Sequence, residues 1–189
     1  MPNRLIASTL ALILSTSAMP AHADDISDAI EEAAAAYAEG DLAYAQESLQ
    51  FASQLIGQMK TGTLATLLPE PMEGWDADEP ETETMGAALF GGGSTASRYY
   101  TKGDSGVSIN YTANSPIVAQ MAAMFANPAM MGGGGKLLRL GRQKAMIDDE
   151  GNVQFVVNNS IMVQIDGNAS DEDKIAYAKA IDISALKDY

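Results

Sequence analysis

The sequence predicts an α+β protein in which an N-terminal αα-hairpin is followed by an antiparallel sheet with one inserted helix and one C-terminal helix. Two patterns support this fold class. Apolar residues recur three and four positions apart between residues 24 and 59, as in helices, and from Ser94 onward they alternate with polar residues, as in strands. Successive strands are joined by tight turns, which indicates an antiparallel sheet.

Residues 1–23 have the three parts of a signal peptide. Arg4 gives a positively charged start, residues 5–14 are apolar, and Ala21-His22-Ala23 has the small-x-small pattern of a signal-peptidase site. Pro20 and the polar residues 15–17 interrupt the apolar stretch before it reaches the roughly 20 residues of a membrane-spanning helix. We therefore expect cleavage after Ala23, a periplasmic or secreted location, and no transmembrane segment after cleavage.

The absence of certain residue types limits the kinds of catalytic and metal site that the mature chain can form. There is no cysteine, and the one histidine, His22, leaves with the signal peptide. This excludes Ser-His-Asp and Cys-His nucleophiles, Cys/His zinc sites and His or Cys ligation of haem or iron–sulfur clusters. The net charge of −14 disfavours nucleic acid as a partner. We expect a non-catalytic protein without a cofactor.

The segment 24–60 predicts the αα-hairpin. In the first helix, apolar residues recur at helical spacing: Ile26, Ile30, Ala33 and Tyr37. Gly40 breaks this helix, and Asp41 is a good N-cap for the next. In the second helix, the predicted seam of contact with the first consists of Leu42, Ala45, Leu49, Ala52, Ile56 and Met59.

The segment 61–84 predicts an acidic, proline-containing connector. Acidic residues run from Glu70 to Glu83 without a basic residue between them, and three prolines in the segment argue against a helix. We expect Trp75 to begin an edge strand or to fill the core. Asp76 opens like an EF-hand calcium loop, but Glu81 stands where that loop needs glycine, so a solvated charged connector is the favoured interpretation.

The segment 85–189 predicts the α+β domain. Strands are expected on either side of three turns, at Gly103-Asp104, at residues 148–152 and at Asn158-Asn159. A short helix is expected at residues 117–125. Ser170 caps a final helix, whose apolar face is Ile175, Ala178, Ile181 and Leu186.

Two stretches of this domain combine apolar bulk with a run of glycines. We interpret them as a mobile contact surface or lid formed by Leu89, Phe90, Met121, Met124, Phe125, Met130 and Met131. The plainer alternative is that the apolar side chains belong to the core and the glycines form a slack connector. A third possibility is Cu(I) binding, because thioethers are soft ligands and four of them lie close together in sequence: Met121, Met124, Met130 and Met131.

A basic patch follows the glycine run, formed by Lys136, Arg139, Arg142 and Lys144. We expect these side chains to pair with the acidic connector of the same chain. The alternative is an anionic partner or headgroup beside the methionine-rich loop.

Several stretches of the mature chain resemble small exported bacterial proteins without an assigned activity: GWDADE, YYTKGDSGVSINYTANSP, GRQKAMIDDEG and VNNSIMVQIDGNASDEDKIAYAKAIDISAL. The strand–helix–strand order from Trp75 onward also resembles the Mog1/PsbP-like α/β/α sandwich, from which the N-terminal hairpin departs. This second resemblance implies an adaptor or assembly factor. Neither resemblance implies a functional residue.

We therefore predict a non-catalytic periplasmic binding or assembly module that uses the αα-hairpin and the Met/Gly-rich loop as contact surfaces. Its partner would be another periplasmic or envelope protein, or an apolar ligand. The alternatives are a copper-handling protein with thioether ligands and, last, a carboxylate-dependent hydrolase, for which no spacing of acidic residues singles out a pair.

Overall fold

The computed structural model describes residues 22–85, 93–126 and 135–189. These residues form five helices and eight strands. The helices are α1 (His22–Glu39), α2 (Leu42–Thr66), α3 (Pro116–Ala126), α4 (Asp171–Ala180) and α5 (Ile183–Asp188). The strands are β1 (Asp76–Ala77), β2 (Glu81–Met85), β3 (Gly93–Lys102), β4 (Ser105–Ala113), β5 (Lys136–Leu140), β6 (Gln143–Ile147), β7 (Val153–Val157) and β8 (Ile161–Asp166). The predicted α+β fold class is confirmed.

The strands form one antiparallel sheet in the order β1-β3-β4-β8-β7-β6-β5, and β2 pairs with β3 beside β1. The predicted turns are confirmed. Asn158 and Asn159 join β7 to β8 with positive φ angles of 49° and 56°, which is the conformation of a type I′ hairpin turn. The β5–β8 meander returns from the far edge to the middle of the sheet, where β8 pairs with β4.

One face of the sheet carries the hydrophobic core. Alternate residues of the central strands, such as Ile109 and Tyr111 of β4 and Val163 of β8, are fully buried there, as strand geometry requires. The C-terminal end of α2 contributes Leu64 to this core. Helices α4 and α5 and the residue Ile181 between them contribute further side chains, among them Tyr177, Ala178 and Leu186.

Two helix boundaries differ from the sequence prediction. Helix α2 continues to Thr66, past the predicted end of the hairpin, because Thr61 and Leu64 are buried against the rest of the fold and packing outweighs the weak helix propensity of threonine. The single C-terminal helix is divided into α4 and α5 at Ile181, which is extended. The Asp182 side chain then caps α5 by accepting hydrogen bonds from two backbone N–H groups.

A buried lysine joins α4 to the sheet. Lys174 is 2% exposed, and its ammonium group donates hydrogen bonds to the carbonyl oxygens of Glu150 at 2.9 Å and Gly167 at 3.2 Å. The Asn152 side-chain oxygen lies 3.4 Å away. Burial alone would raise the pKa of the adjacent Asp148, but hydrogen bonds from Asn152 and Glu150 and the charge of Lys174 outweigh burial and lower it. The ammonium group thus holds together the β6–β7 turn and the loop after β8.

No helix in the described ranges is long and apolar enough to cross a membrane.

Candidate functional site

The contact between α1 and α2 is made mostly of small side chains. The buried residues that face each other in the hairpin are Ala29, Ala33 and Ala36 of α1 and Ala45, Ser48, Ala52 and Leu55 of α2. The predicted seam is therefore wrong for Leu42, Leu49, Ile56 and Met59, and right for Ala45 and Ala52. Alanine and serine allow two helices to approach closely, so the seam follows the small residues and leaves the large apolar ones outside.

Most of the large apolar side chains of the hairpin are consequently exposed, with Leu55 and Leu64 of α2 as the buried exceptions. Five of the exposed side chains define a surface that we call the hairpin face: Ile30 (48% exposed), Tyr37 (71%), Leu42 (65%), Leu49 (55%) and Ile56 (39%). Single exposed apolar residues are ordinary on protein surfaces. Five exposed large apolar residues on one pair of helices are unusual when they lie side by side.

Helix geometry places these five residues on one side of the hairpin. With 3.6 residues per turn, Ile30 and Tyr37 are rotated about 80° around the α1 axis from its alanine seam. The α2 residues of the face are rotated about 80° from the α2 seam, also in the direction in which residue number increases. In an antiparallel pair, equal rotations from the seam point to the same side. The hairpin face is therefore continuous across both helices.

Among its five residues the hairpin face carries no charge: the other side chains that helix geometry places there are Ile26, Ala34, Gln46 and Ser53. The exposed Lys60 lies one turn beyond Ile56 on the same line of α2 and puts one positive charge at the end of the face. The acidic residues of α1 lie away from it. Glu32, for example, is on the opposite side, where its carboxylate accepts a hydrogen bond from the Tyr44 hydroxyl at 3.3 Å. The hairpin thus has one apolar side that is free of acidic groups and one side that carries them.

Buried tyrosines fasten the hairpin to the sheet through the chain that follows α2. The Tyr100 hydroxyl donates a hydrogen bond to the Pro69 carbonyl at 2.7 Å, and the Tyr111 hydroxyl donates one to the Leu67 carbonyl at 3.2 Å. Burial raises the pKa of both phenols, so they remain neutral donors. The end of the hairpin nearest the sheet is therefore held in place by the chain that follows α2.

Trp75 lies in the same anchor. Trp75 is buried, which agrees with the expectation that it fills the core. Its ring meets the Tyr177 ring edge-on, with the two ring centroids 5.3 Å apart. The Tyr100 ring lies 4.5 Å from the Tyr177 ring on the other side. Aromatic pairs of this kind add about 0.5–1.5 kcal/mol beyond the burial of their area.

A cleft of about 990 Å³ lies between α2 and the β2–β3 edge of the sheet. No local pattern in the sequence indicates this cleft, because it depends on how α2 crosses the sheet. Most of its lining residues carry an amide or hydroxyl group, although more of the lining surface is apolar than polar. Three of the hydroxyls bond to one another: the Thr61 hydroxyl lies 2.8 Å from the Ser94 hydroxyl and 3.0 Å from that of Thr84. We found no polar group among the described lining residues that points to a particular ligand.

The predicted basic patch lies on β5, β6 and the turn between them, and all four of its side chains are exposed. The expected pairing with the acidic connector is wrong, because β5 is at one edge of the sheet and the connector strands β1 and β2 are at the other. Arg139 is instead opposite Lys144 in the β5–β6 register. Among the described residues the ion pair found is Arg98 with Glu70, at 3.7 Å.

Most of the predicted Met/Gly surface lies outside the described residues. This applies to Leu89, Phe90, Met130 and Met131, and to the side chains of Met124 and Phe125 within α3. Met121 is half-buried, and its neighbours Val118 and Ala122 are buried. The contact surface, lid and Cu(I) interpretations of this segment stay predictions. In the described ranges no three His, Cys, Asp or Glu side chains come together in a way that could hold a metal ion.

Comparison with protein-family models, with curated proteins and with solved structures gave no match. The resemblances to exported bacterial proteins and to the Mog1/PsbP-like sandwich therefore stay predictions.

Proposed function

We propose that this protein is a non-catalytic binding or assembly module of the periplasm, and that the hairpin face is its main contact surface. The observation that carries the proposal is the exposure of five large apolar residues on one side of a hairpin whose own contact is made mostly of alanines. The signal peptide predicted from the sequence supplies the compartment.

The size of the hairpin face supports an interaction rather than chance exposure. Its five side chains expose on the order of 500 Å² of apolar surface, near the upper limit of patches on monomeric soluble proteins. Leaving that area in water forgoes roughly 12 kcal/mol of hydrophobic transfer free energy at 25 cal/mol per Å². A partner that covers the face would recover part of that free energy.

The anchoring of the hairpin also supports a role in binding. A contact surface on a fixed support loses little conformational entropy when its partner binds. The tyrosine hydrogen bonds to the chain after α2 give the hairpin such a support. The copper-handling and hydrolase alternatives have no comparable support among the described residues.

Site-specific photocrosslinking in cells tests the proposal. We expect a photocrosslinking amino acid in place of Leu49 to give an adduct of defined mass, because Leu49 lies in the middle of the hairpin face. The matched control is the same amino acid in place of Glu47, which is exposed on the other side of α2. Equal adducts at both positions, or none at position 49, would contradict the proposal.

A further inference from the structure

We infer that the hairpin face is occupied by a second copy of this chain, so that two hairpins form an antiparallel four-helix bundle. The inference rests on the proposed function in one respect, that the hairpin face is a contact surface. It adds the identity of the partner and the geometry of the contact.

The spacing of the residues on the hairpin face is that of a second helical seam. Leu42, Leu49 and Ile56 follow one another at intervals of seven along α2, and Ile30 and Tyr37 are separated by the same interval on α1. Heptad spacing keeps a stripe of side chains against a neighbouring helix along its whole length. In the monomer no described helix covers either stripe, since all five residues are exposed, although Ile56 at the far end of the α2 stripe also lines the cleft beside β2 and β3.

The two stripes are also staggered in a way that fits a copy of themselves. Counting outward from the Gly40–Asp41 turn, the buried seam residues pair as Ala36 with Ala45, Ala33 with Ser48 and Ala29 with Ala52. On the same count, Tyr37 lies between the levels of Leu42 and Leu49. Ile30 lies between the levels of Leu49 and Ile56.

A two-fold axis parallel to the helices uses this stagger. Such an axis places α1 of one copy over α2 of the other, in antiparallel orientation and at the same levels. Each Tyr37 then enters the gap between Leu42 and Leu49 of the other copy, and each Ile30 enters the next gap. Every contact occurs twice, as an isologous interface requires, and the side chains interdigitate as knobs into holes.

The distribution of charge favours a second copy over an unlike partner. The chain carries a net charge of −14, so an unlike partner selected by charge would have to dock on acidic groups. The hairpin face has none. Because the acidic residues of α1 lie on its other sides, two faces meet without burying like charges, and the repulsion between copies is long-range and screened by salt.

The area is sufficient for a reversible dimer. Two faces of on the order of 500 Å² each give a total near the lower limit of specific protein–protein interfaces. We expect a dissociation constant in the micromolar range, as for interfaces at this end of the size scale. Added salt should tighten the dimer, whereas a partner recruited by charge would be released by salt.

Sedimentation velocity of the purified protein over a range of concentrations tests this inference. We expect a monomer–dimer equilibrium that shifts toward dimer with added NaCl. Leu49→Gln should raise the dissociation constant at least about tenfold, because the two-fold axis repeats the change and central apolar contacts carry most of the binding free energy. The matched control is Phe51→Gln, since Phe51 is 52% exposed against 55% for Leu49 but lies on the other side of α2.

The outcomes separate this inference from the proposed function. If the protein remains monomeric up to about 100 μM, the inference that a second copy occupies the hairpin face is overturned. That concentration is far above a micromolar dissociation constant. A crosslinked adduct from position 49 with the mass of an unlike partner would then still support the contact surface. A dimer that Phe51→Gln weakens and Leu49→Gln does not would overturn the assigned face. Circular dichroism of both variants checks that they are folded.

Discussion

The helical hairpin and the sheet solve the same packing problem in opposite ways. The sheet buries its large side chains, including Tyr100, Tyr111 and Phe155, completely. The contact between the two hairpin helices buries mostly alanines, and several large apolar side chains, among them Leu42, Leu49 and Tyr37, stay exposed. Since buried apolar area is the main source of folding free energy, the sheet and its helices supply most of the stability of the chain. The hairpin retains apolar surface for an external contact.

The largest expected effect comes from truncating the core of the sheet. Phe155→Ala should lower the free energy of unfolding by about 3–5 kcal/mol, because it removes a fully buried ring and leaves a cavity. Urea denaturation monitored by circular dichroism measures the change. A loss below about 1 kcal/mol would mean that this part of the core is loosely packed and would remove the contrast with the hairpin.

A smaller effect is expected where a polar group holds the sheet to its helices. Lys174→Met should cost about 1–3 kcal/mol, because it removes the hydrogen bonds of the buried ammonium to the partly buried carbonyl groups of Glu150 and Gly167. The matched control is Lys179→Met, which changes an exposed lysine on the same helix. Equal denaturation midpoints for the two variants would contradict the structural role of Lys174.

The smallest expected effect is on the hairpin face. Leu49→Gln should change the free energy of unfolding by no more than about 0.5 kcal/mol when measured on dilute, monomeric protein, because the side chain is exposed and the two residues have similar helix propensity. The same denaturation experiment measures it. A loss as large as that of Phe155→Ala would show that Leu49 packs within its own chain.

Local signals in the sequence predicted most of the fold. The Asn158-Asn159 turn, the Asp41 cap and the period-two strands depend on residues close together in the chain, and each is where it was expected. Local signals could not identify which residues of α2 form the contact with α1. Leu42, Leu49 and Ile56 repeat at the same interval as Ala45 and Ala52, so periodicity alone does not decide which stripe faces α1. Side-chain size decides it, because the smaller stripe allows the closer approach.

Contacts between residues far apart in the chain could not be predicted from the sequence, for a different reason. The hydrogen bond from Tyr111 to the Leu67 carbonyl joins residues 44 positions apart, and neither residue has a local signal of the other. The location of the basic patch depends on the order of the strands within the sheet. The order of the strands along the chain does not determine this. Composition alone favours pairing of the basic patch with the acidic connector, but β5 and β2 lie at opposite edges of the sheet.

That separation of charge makes the sheet an electric dipole. Exposed acidic residues of β1, β2 and their flanks lie at one edge, exposed lysines and arginines of β5 and β6 lie at the other, and six strand spacings of about 4.8 Å put roughly 30 Å between them. A molecule with a net charge of −14 is repelled by an anionic surface from afar, yet the field of that surface turns it so that its β5 edge leads. The protein therefore approaches an anionic surface with its β5 edge first, whereas a cationic surface would meet the opposite, acidic edge.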